Sequence, residues 1–384
     1  MNKTDVRAVT LIVATAFVAT AAGTIYAPTI PLHAQGLGAP EWIVTSLPMG
    51  LPSIVSFVLL LPIGIVADRT AKRKEILLGA IALTGIANLG LASSHSWVLL
   101  AMWRVPSGLP FALMALFAVV TSFLFPEDRR GSAMALATGG ALLGMGLSQA
   151  LSGSLLRILG SHRGLYLFAA GLGGLAFVLL LPVRIPRLTS ANGISGSEIG
   201  QVLSNGTILY TGSLLLIYLV GWQMLYGSFA TVLVNILGAP LELQTVLFAV
   251  ASALLGVGTF IWGPVIDRLG ARRTLLIGLL GSAMATFAML PFLTSLWVYV
   301  ILFWITTVGG VCGNPGSAVI ATRAVRSELS TIAINMVFLF VTLSAVIGGF
   351  AAGPLMAGMG FGVMVLVSGT LQLIGAGMTL GMER

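Results

Sequence analysis

Charged residues are scarce in this chain. Asp, Glu, Lys and Arg make up 8% of its 384 residues, whereas an ordinary water-soluble domain carries about 25%. Hydrophobic residues make up 57% of the sequence and the mean hydropathy is +1.05. So few charges cannot cover the surface of a soluble fold of this size, and the same numbers exclude a disordered, coiled-coil or collagen-like chain.

Cysteine is nearly absent, and clustered catalytic residues are missing. The single cysteine, Cys312, excludes an intramolecular disulfide framework and a cysteine-rich metal site. The sequence has no His/Asp/Glu cluster, nucleophile–base pairing or phosphate-binding loop at membrane depth. We therefore expect neither an enzyme nor a protein with a metal or another cofactor.

Long apolar segments fill most of the chain. A membrane-spanning helix needs about 20 mostly apolar residues, and twelve segments of that kind can be read from the sequence. They lie near 7–29, 43–66, 75–93, 97–124, 132–156, 164–183, 207–234, 243–265, 273–292, 296–320, 330–353 and 361–381. The sequence thus predicts an all-α polytopic membrane protein with twelve transmembrane helices.

The basic residues between these segments predict the orientation. With the N-terminus inside, 16 of the 19 Lys and Arg residues fall on the inner side, Arg157 and Arg163 fall outside, and Arg104 falls within helix 4. Positive charge collects on the cytoplasmic side of membrane proteins. We expect a multi-pass protein of the cytoplasmic (inner) membrane with both termini cytoplasmic. The net charge of +8 then needs no nucleic-acid partner.

The two halves of the chain repeat each other. The tetrapeptide at 37–40 recurs at 237–240, and a tyrosine stands fourteen residues before the proline of each copy, Tyr26 in the first and Tyr226 in the second. Trp97 matches Trp297 at the same offset of 200. These matches predict two six-helix bundles, 1–183 and 207–384, joined by a cytoplasmic linker at 184–206. Such parallel repeats place a substrate site between the halves near the midplane.

The loop after helix 2 carries a motif of known type. It runs from Gly64 through Asp68-Arg69 to Lys72-Arg73-Lys74, and Gly263, Asp267 and Arg268 repeat its beginning. The motif resembles the signature of the major facilitator superfamily, with Ala71 in place of a glycine that the second copy keeps as Gly270. The likeness covers the whole chain. Within this family, the chain is most similar to the twelve-helix drug-efflux branch. The similarity rests on its compact length and on the segment Tyr-Ala-Pro-Thr-Ile-Pro at 26–31.

The resemblance implies a gating role for this motif. Asp68 would face the N-terminal dipole of helix 11 and hold the outward-facing state. The alternative is that these charges only fix the topology. The predicted gating residues are Gly64, Asp68, Arg69, Arg73, Gly263, Asp267 and Arg268.

Arg104 is the one charged residue predicted to lie well inside a span. It begins an R-x-x-x-G element that also resembles the family, and its repeat position is Trp304. A buried cation costs several kcal/mol unless it finds partners. Two interpretations stay open. Arg104 either anchors or couples substrate in the central cavity, or is satisfied by helix 1 carbonyls and water.

The resemblance places helices 1, 4, 7 and 10 around the cavity, with helices 2, 5, 8 and 11 beside them. Polar and aromatic residues at membrane depth on these helices are the candidates for substrate binding. They are Tyr26, Arg104, Gln149, Trp222, Gln223, Tyr226, Asn314 and Asn335. Helix 5 is rich in glycine, which fits either close helix packing or a degraded form of the family's antiporter element.

Acidic residues are missing from the predicted membrane interior. All eleven fall in termini, loops or helix ends, and the three histidines, His33, His95 and His162, fall in predicted outer loops. Proton-coupled transporters usually keep a carboxylate or histidine within the membrane. A proton-driven mechanism would therefore have to use one of these boundary groups.

Two functions remain open. The leading prediction is a monomeric secondary transporter that exports small, mostly hydrophobic molecules by alternating access, with protons or a counter-solute as the open choices for coupling. The alternative is uptake, exchange or facilitated diffusion of a small organic anion anchored by Arg104.

Overall fold

The computed structural model describes residues 3–70, 72–122, 124–125, 130–185, 196–325 and 329–382. Every regular element in these ranges is helical. The first half contains α1 (Lys3–Thr24), α2 (Ile30–Gly36), α3 (Glu41–Ser46), α4 (Gly50–Thr70), α5 (Arg73–Ala92), α6 (Trp97–Arg104), α7 (Leu109–Ser122), α8 (Arg130–Leu159) and α9 (His162–Leu180). The second half contains α10 (Gly196–Leu203), α11 (Gly206–Thr231), α12 (Leu241–Leu269), α13 (Ala271–Ala288), α14 (Leu296–Gly310), α15 (Gly313–Arg323), α16 (Ser330–Met359) and α17 (Phe361–Met378).

Each of the twelve predicted spans coincides with an observed helix or helix pair. Within the described ranges, ten helical segments are long and apolar enough to cross a membrane. The other two predicted spans correspond to α4, whose apolar stretch Gly50–Ile63 is shorter, and to α13, whose first turn contains Arg272 and Arg273. The expectation of an all-helical polytopic membrane protein is confirmed.

The lipid-facing surface can be seen on α8. Leu143, Leu147 and Leu151 recur every four residues, and each is more than half exposed. Residues at this spacing share one face of a helix. An exposed leucine stripe is unfavourable in water but favourable against lipid tails, so this face supports insertion in a bilayer.

The chain divides into two compact units. Unit 1 comprises Met1–Ala39, Leu51–Gly193 and Phe248–Ala253, and unit 2 comprises Pro40–Gly50, Ile194–Leu247 and Leu254–Arg384. Short α3 therefore belongs with the second-half helices, and one stretch of α12 belongs with the first-half helices.

Unit 1 is held together by close contact between α1 and α8. Side chains such as Ile12, Ile81 and Phe117 form its apolar core. A Cβ atom at Gly144 would collide with the carbonyl oxygen of Phe17, and one at Gly140 would crowd Val13. Small residues let membrane helices approach in this way. The contacts support the packing interpretation of the glycine-rich helix 5.

Unit 2 uses the same device around α11. A Cβ atom at Gly221 would meet the carbonyl oxygen of Ser368 on α17, and one at Gly348 of α16 would come within 2.7 Å of the Gln223 Cβ. The short helix α3 is fastened to α16 by Thr45. Its hydroxyl donates to the Gly349 carbonyl (2.8 Å) and accepts from the Gly353 amide (3.1 Å).

Predicted helices 4 and 10 are both interrupted. A 3₁₀ turn at Pro106–Gly108 separates α6 from α7, because proline has no N–H to donate and its ring crowds the preceding turn. Gly108 is needed at this turn since a Cβ there would collide with Pro52. In the second half, α14 ends before Val311 and α15 begins at Gly313. The break after α6 positions the charged group described next.

Candidate functional site

Arg104 is completely buried at the end of α6, where the helix gives way to the 3₁₀ turn. Its Nη1 atom donates to the Ser107 hydroxyl (2.8 Å), to the Gly23 carbonyl oxygen (3.0 Å) and to the Tyr26 hydroxyl (3.4 Å). The guanidinium carbon lies 5.1 Å from the centroid of the Tyr26 ring, within cation–π range. Unit 1 thus surrounds its buried charge with oxygen acceptors and an aromatic face.

The side-chain amide of Asn88 extends this network. The Tyr26 hydroxyl donates to Asn88 Oδ1 (2.8 Å), and Asn88 Nδ2 donates to the Ala22 carbonyl (3.0 Å). Asn88 and Tyr26 are wholly buried. Asn88 is not among the residues predicted from the sequence, although an asparagine inside predicted helix 3 is the signal that would have identified it.

The network bears on both interpretations of Arg104. A helix 1 carbonyl, that of Gly23, is among its partners, as the structural interpretation requires. The Tyr26 hydroxyl is already hydrogen-bonded within unit 1. A ligand that binds to Arg104 or Tyr26 would therefore have to replace one of these bonds. Their assignment to substrate binding stays a prediction.

Gln149 lies on α8 and is almost fully buried. Its Oε1 accepts a hydrogen bond from the hydroxyl of Ser252, which belongs to the α12 stretch of unit 1. The Ser252 hydroxyl is also 3.1 Å from the Phe248 carbonyl. The predicted polar residue of helix 5 is thus paired with a neighbour rather than open to a ligand in this structure.

Three predicted residues share one stretch of α11 in unit 2. The Trp222 and Tyr226 rings stack with their centroids 4.9 Å apart and their planes 27° apart. Spacing by four residues puts them on one face of the helix. Trp222 Nε1 and Gln223 Oε1 are shielded from solvent and have no hydrogen-bond partner among the residues that the structure describes. Buried polar atoms are nearly always paired, so this donor and this acceptor call for an explanation.

The two predicted asparagines differ in burial. Asn335 is buried on α16, whereas Asn314 is half-buried near the start of α15. The Asn314 backbone is part of the helix break: its amide donates to the Val311 carbonyl (3.2 Å) and its carbonyl accepts from Ser317 (3.1 Å). No described contact joins the Asn314 side chain to the aromatic pair on α11.

Unit 2 also holds a buried polar cluster whose residues were not predicted from the sequence. Tyr218 donates to the Ser282 hydroxyl, and Gln372 Oε1 accepts from Ser282 (3.1 Å) and Thr286 (3.0 Å). The Thr286 hydroxyl lies 3.3 Å from that of Thr306. These five residues come from four helices and are wholly buried. Single hydroxyl residues in apolar helices are too common to predict such a cluster.

The structure places the gating candidates only in part. Gly64, Asp68 and Arg69 lie in α4, but their side chains fall outside the described part of the chain, and Ala71 falls outside it altogether. Arg73 begins α5 and is buried.

In the second copy, Gly263, Asp267 and Arg268 lie in the last two turns of α12. Gly263 is half-buried, and Asp267 and Arg268 are exposed. Gly270 adopts φ +80° where the chain turns into α13, a conformation that glycine accepts without strain. This turn explains the glycine that the second copy retains. The gating roles themselves stay predictions.

Comparison with known proteins identifies the class. The model of the Major Facilitator Superfamily matches residues 12–234 and 211–382. The chain belongs to this superfamily of membrane transporters and is not an enzyme. It is a multi-pass membrane protein whose substrate is a small molecule. A search of curated proteins found no significant match.

Solved structures support the same fold. A bacterial homolog of the human lysosomal transporter Spinster, in an inward-facing and unoccupied conformation, is similar with a TM-score of 0.80 at 15% identity, over 99% of this chain and 97% of that one. The nucleoside transporter NupG is similar with a TM-score of 0.82 at 12% identity, over 98% and 100%. At such low identity these likenesses concern the fold alone, and neither points to drug efflux in particular.

Proposed function

We propose that this transporter exports small, mostly hydrophobic molecules that carry an aromatic ring and a neutral polar group. The observation that carries the proposal is the α11 face formed by Trp222, Gln223 and Tyr226. In this proposal the bundles 1–183 and 207–384 rock about a midplane site, and the linker 184–206 joins them on the cytoplasmic side. The protein works as a monomer in the inner membrane with both termini inside.

The chemistry of this face selects the ligand class. The Trp222–Tyr226 stack offers an apolar surface against which a flat ring packs well. Beside it, Trp222 Nε1 needs an acceptor and Gln223 Oε1 needs a donor. A ligand with one of each, such as an amide, would satisfy both atoms. A carboxylate would satisfy only the tryptophan N–H and would leave the amide oxygen facing a negative charge.

A second candidate rests on the buried charge of Arg104. Uptake, exchange or facilitated diffusion of a small organic anion would use this cation as its anchor, since a buried positive charge attracts anions. The hydrogen bonds from its Nη1 to Gly23 and Ser107 weigh against it, because an anion would have to compete with them.

A matched pair of ligands separates the two candidates. Benzamide and benzoate have the same shape but differ in charge, and a ligand that binds the folded state raises its apparent stability. We expect benzamide to raise the thermal unfolding midpoint of the purified protein and benzoate to leave it unchanged. The reverse result would favour the anion candidate, and Arg104→Lys, which keeps the charge, should then retain the benzoate response.

Tryptophan variants locate the binding site. Trp222→Ala should remove the benzamide response, whereas Trp297→Ala, which changes an exposed residue of the same unit, should keep it. Loss of the response in both variants, or in neither, would contradict the assignment to α11.

The direction of transport needs a separate assay. Everted membrane vesicles should expel the neutral aromatic probe N-phenyl-1-naphthylamine from the bilayer into their lumen, and its fluorescence should fall upon energisation. Right-side-out vesicles should not show this decrease. Accumulation by right-side-out vesicles instead would replace export with uptake.

A further inference from the structure

All three histidines of the chain line one cavity in unit 1. The cavity has a volume of about 610 Å³ and lies where α2, the end of α5 and the start of α9 meet. His33, His95 and His162 border it together with Arg163 and Tyr166. The charge distribution predicts that this end of the unit faces away from the cytoplasm.

Two of these histidines form a close pair. The rings of His33 and His162 stack with centroids 4.4 Å apart and planes 10° apart. His33 Nδ1 lies 2.9 Å from the hydroxyl of Tyr166. Both rings are partly shielded from solvent, whereas His95 is exposed. The pair is therefore positioned by packing, and His95 stands apart from it.

The pair is in contact with the Arg104 network. Tyr166 is wholly buried, and its ring meets the Tyr26 ring edge-on at 5.2 Å. Tyr26 in turn accepts from Arg104 and donates to Asn88. A continuous line of packed polar and aromatic groups thus runs from the cavity to the buried cation.

The geometry favours a single proton on the pair. Two imidazolium rings at this separation would repel each other strongly, so the second protonation is suppressed. Arg163, an exposed residue that also borders the cavity, adds positive charge, and no acidic side chain is among the described lining residues. His162 begins α9, where the helix dipole disfavours a cation. His33 has the Tyr166 oxygen as an acceptor and is the better site.

We propose that the His33–His162 pair binds one proton from the non-cytoplasmic side. The resulting change in hydrogen bonding is transmitted through Tyr166 and Tyr26 to Arg104. In the neutral pair the Tyr166 hydroxyl donates to His33 Nδ1. Once a proton taken from water occupies Nδ1, the N–H donates to the Tyr166 oxygen, and the tyrosine hydroxyl must turn to another acceptor. Release of the proton to water reverses the step. The coupling part of this inference rests on the proposed transport function.

Burial indicates the pH range of this step. Desolvation of the imidazole lowers the pKa of His33 below its ordinary value of 6.5. Proton uptake therefore belongs to mildly acidic conditions, and a fall in pH on the non-cytoplasmic side would convert the neutral pair into the charged one.

Histidine NMR tests the site without any substrate. With only three histidines, ¹³C-labelled protein carrying a non-histidine purification tag gives three ring signals, which His33→Gln, His95→Gln and His162→Gln assign. Because the pKa of His33 lies below 6.5, we expect the His33 and His162 signals to shift together between about pH 4 and pH 7, with uptake of one proton by the pair. Two independent, complete titrations, or none in this range, would overturn the proposal.

Transport tests the coupling. Acidification on the cavity side should change the rate of N-phenyl-1-naphthylamine transport severalfold in the wild type and in His95→Gln. It should have no effect in the double variant His33→Gln/His162→Gln. Tyr166→Phe should keep the joint NMR titration but lose the rate response. A response that survives in the double variant would refute the coupling, whereas a protein that moves no probe refutes export and leaves the NMR result standing.

Discussion

Each unit buries a polar network among apolar helices, but the two networks differ in charge. In unit 1 the network is built around the cation Arg104, which donates to Tyr26 and Ser107, and Tyr26 in turn donates to Asn88. In unit 2 the buried cluster runs from Tyr218 through Ser282 to Gln372, and its described members are hydroxyls and an amide.

The two units therefore share an all-helical frame but differ in the chemistry of their buried networks. A neutral hydroxyl cluster needs no more than local pairing, whereas a buried cation needs a full set of acceptors to offset the loss of water. The histidines add to the asymmetry, because all three line the unit 1 cavity. We infer that the charged network of unit 1 responds to pH, and that unit 2 supplies an uncharged surface for the ligand.

The largest effect should come from moving α1, which carries Gly23 and directly precedes Tyr26. Gly144→Leu would drive a side chain into the Phe17 carbonyl. Overpacking of this kind costs about 1–3 kcal/mol or more, and here the rigid backbone cannot yield. We expect little folded protein, measured as the monodisperse fraction in size-exclusion chromatography.

Gly174→Leu provides the control. Gly174 is exposed on α9 and has no atom within 4 Å of its Cβ position. If this variant lost as much folded protein as Gly144→Leu, close packing against α1 would not be the reason.

Deletion of one hydroxyl in each network compares them directly. Tyr26→Phe removes an acceptor of Arg104 and a donor to Asn88, and hydrogen bonds to charged groups contribute about 1.5–3 kcal/mol. Tyr218→Phe removes a bond between neutral groups, which contributes about 0.5–1.5 kcal/mol. The thermal unfolding midpoint should fall further for Tyr26→Phe. Equal losses would show that the charge makes no difference to the network.

The pH dependence of stability should also trace to unit 1. The pKa of His33 is lower in the folded protein than its ordinary value of 6.5, so the folded state binds fewer protons than the unfolded state. Stability is therefore complete above this ordinary value and decreases as the pH falls from it towards the lower, folded-state pKa.

Thermal unfolding at several pH values measures this decrease. His33→Gln should flatten the loss of stability on acidification, whereas His95→Gln, at an exposed position, should leave it in place. A steep acid-induced loss that persists in His33→Gln would assign the effect to other groups.

The frame of this fold could be predicted from sequence because lipid imposes a simple rule. Each span must be long and apolar, so the twelve segments and the isolated charge at Arg104 can be read directly from the sequence. The family assignment followed from the Gly64–Lys74 motif and its second copy.

Pairing of polar groups could not be predicted in this way. Asn88 gains its role from α1, which is distant in sequence, and the stacking of His33 on His162 joins residues that the sequence places only in separate loops. Hydropathy gives the depth of a residue in the membrane but not the direction in which its side chain points. The sequence therefore predicts the spans but not the partners of the binding candidates.

The smallest effect should come from Trp304, the repeat counterpart of Arg104. Its Nε1 lies 3.4 Å from the Leu247 carbonyl, and the ring is only partly buried on α14. A long bond between neutral groups contributes at the low end of about 0.5–1.5 kcal/mol. Trp304→Phe should therefore lower the unfolding midpoint only slightly, and much less than Tyr26→Phe. If Trp304→Phe lowered the unfolding midpoint as much as Tyr26→Phe, the neutral contact of unit 2 would contribute as much to stability as the charged network of unit 1. The difference in charge between the units would then have no counterpart in stability.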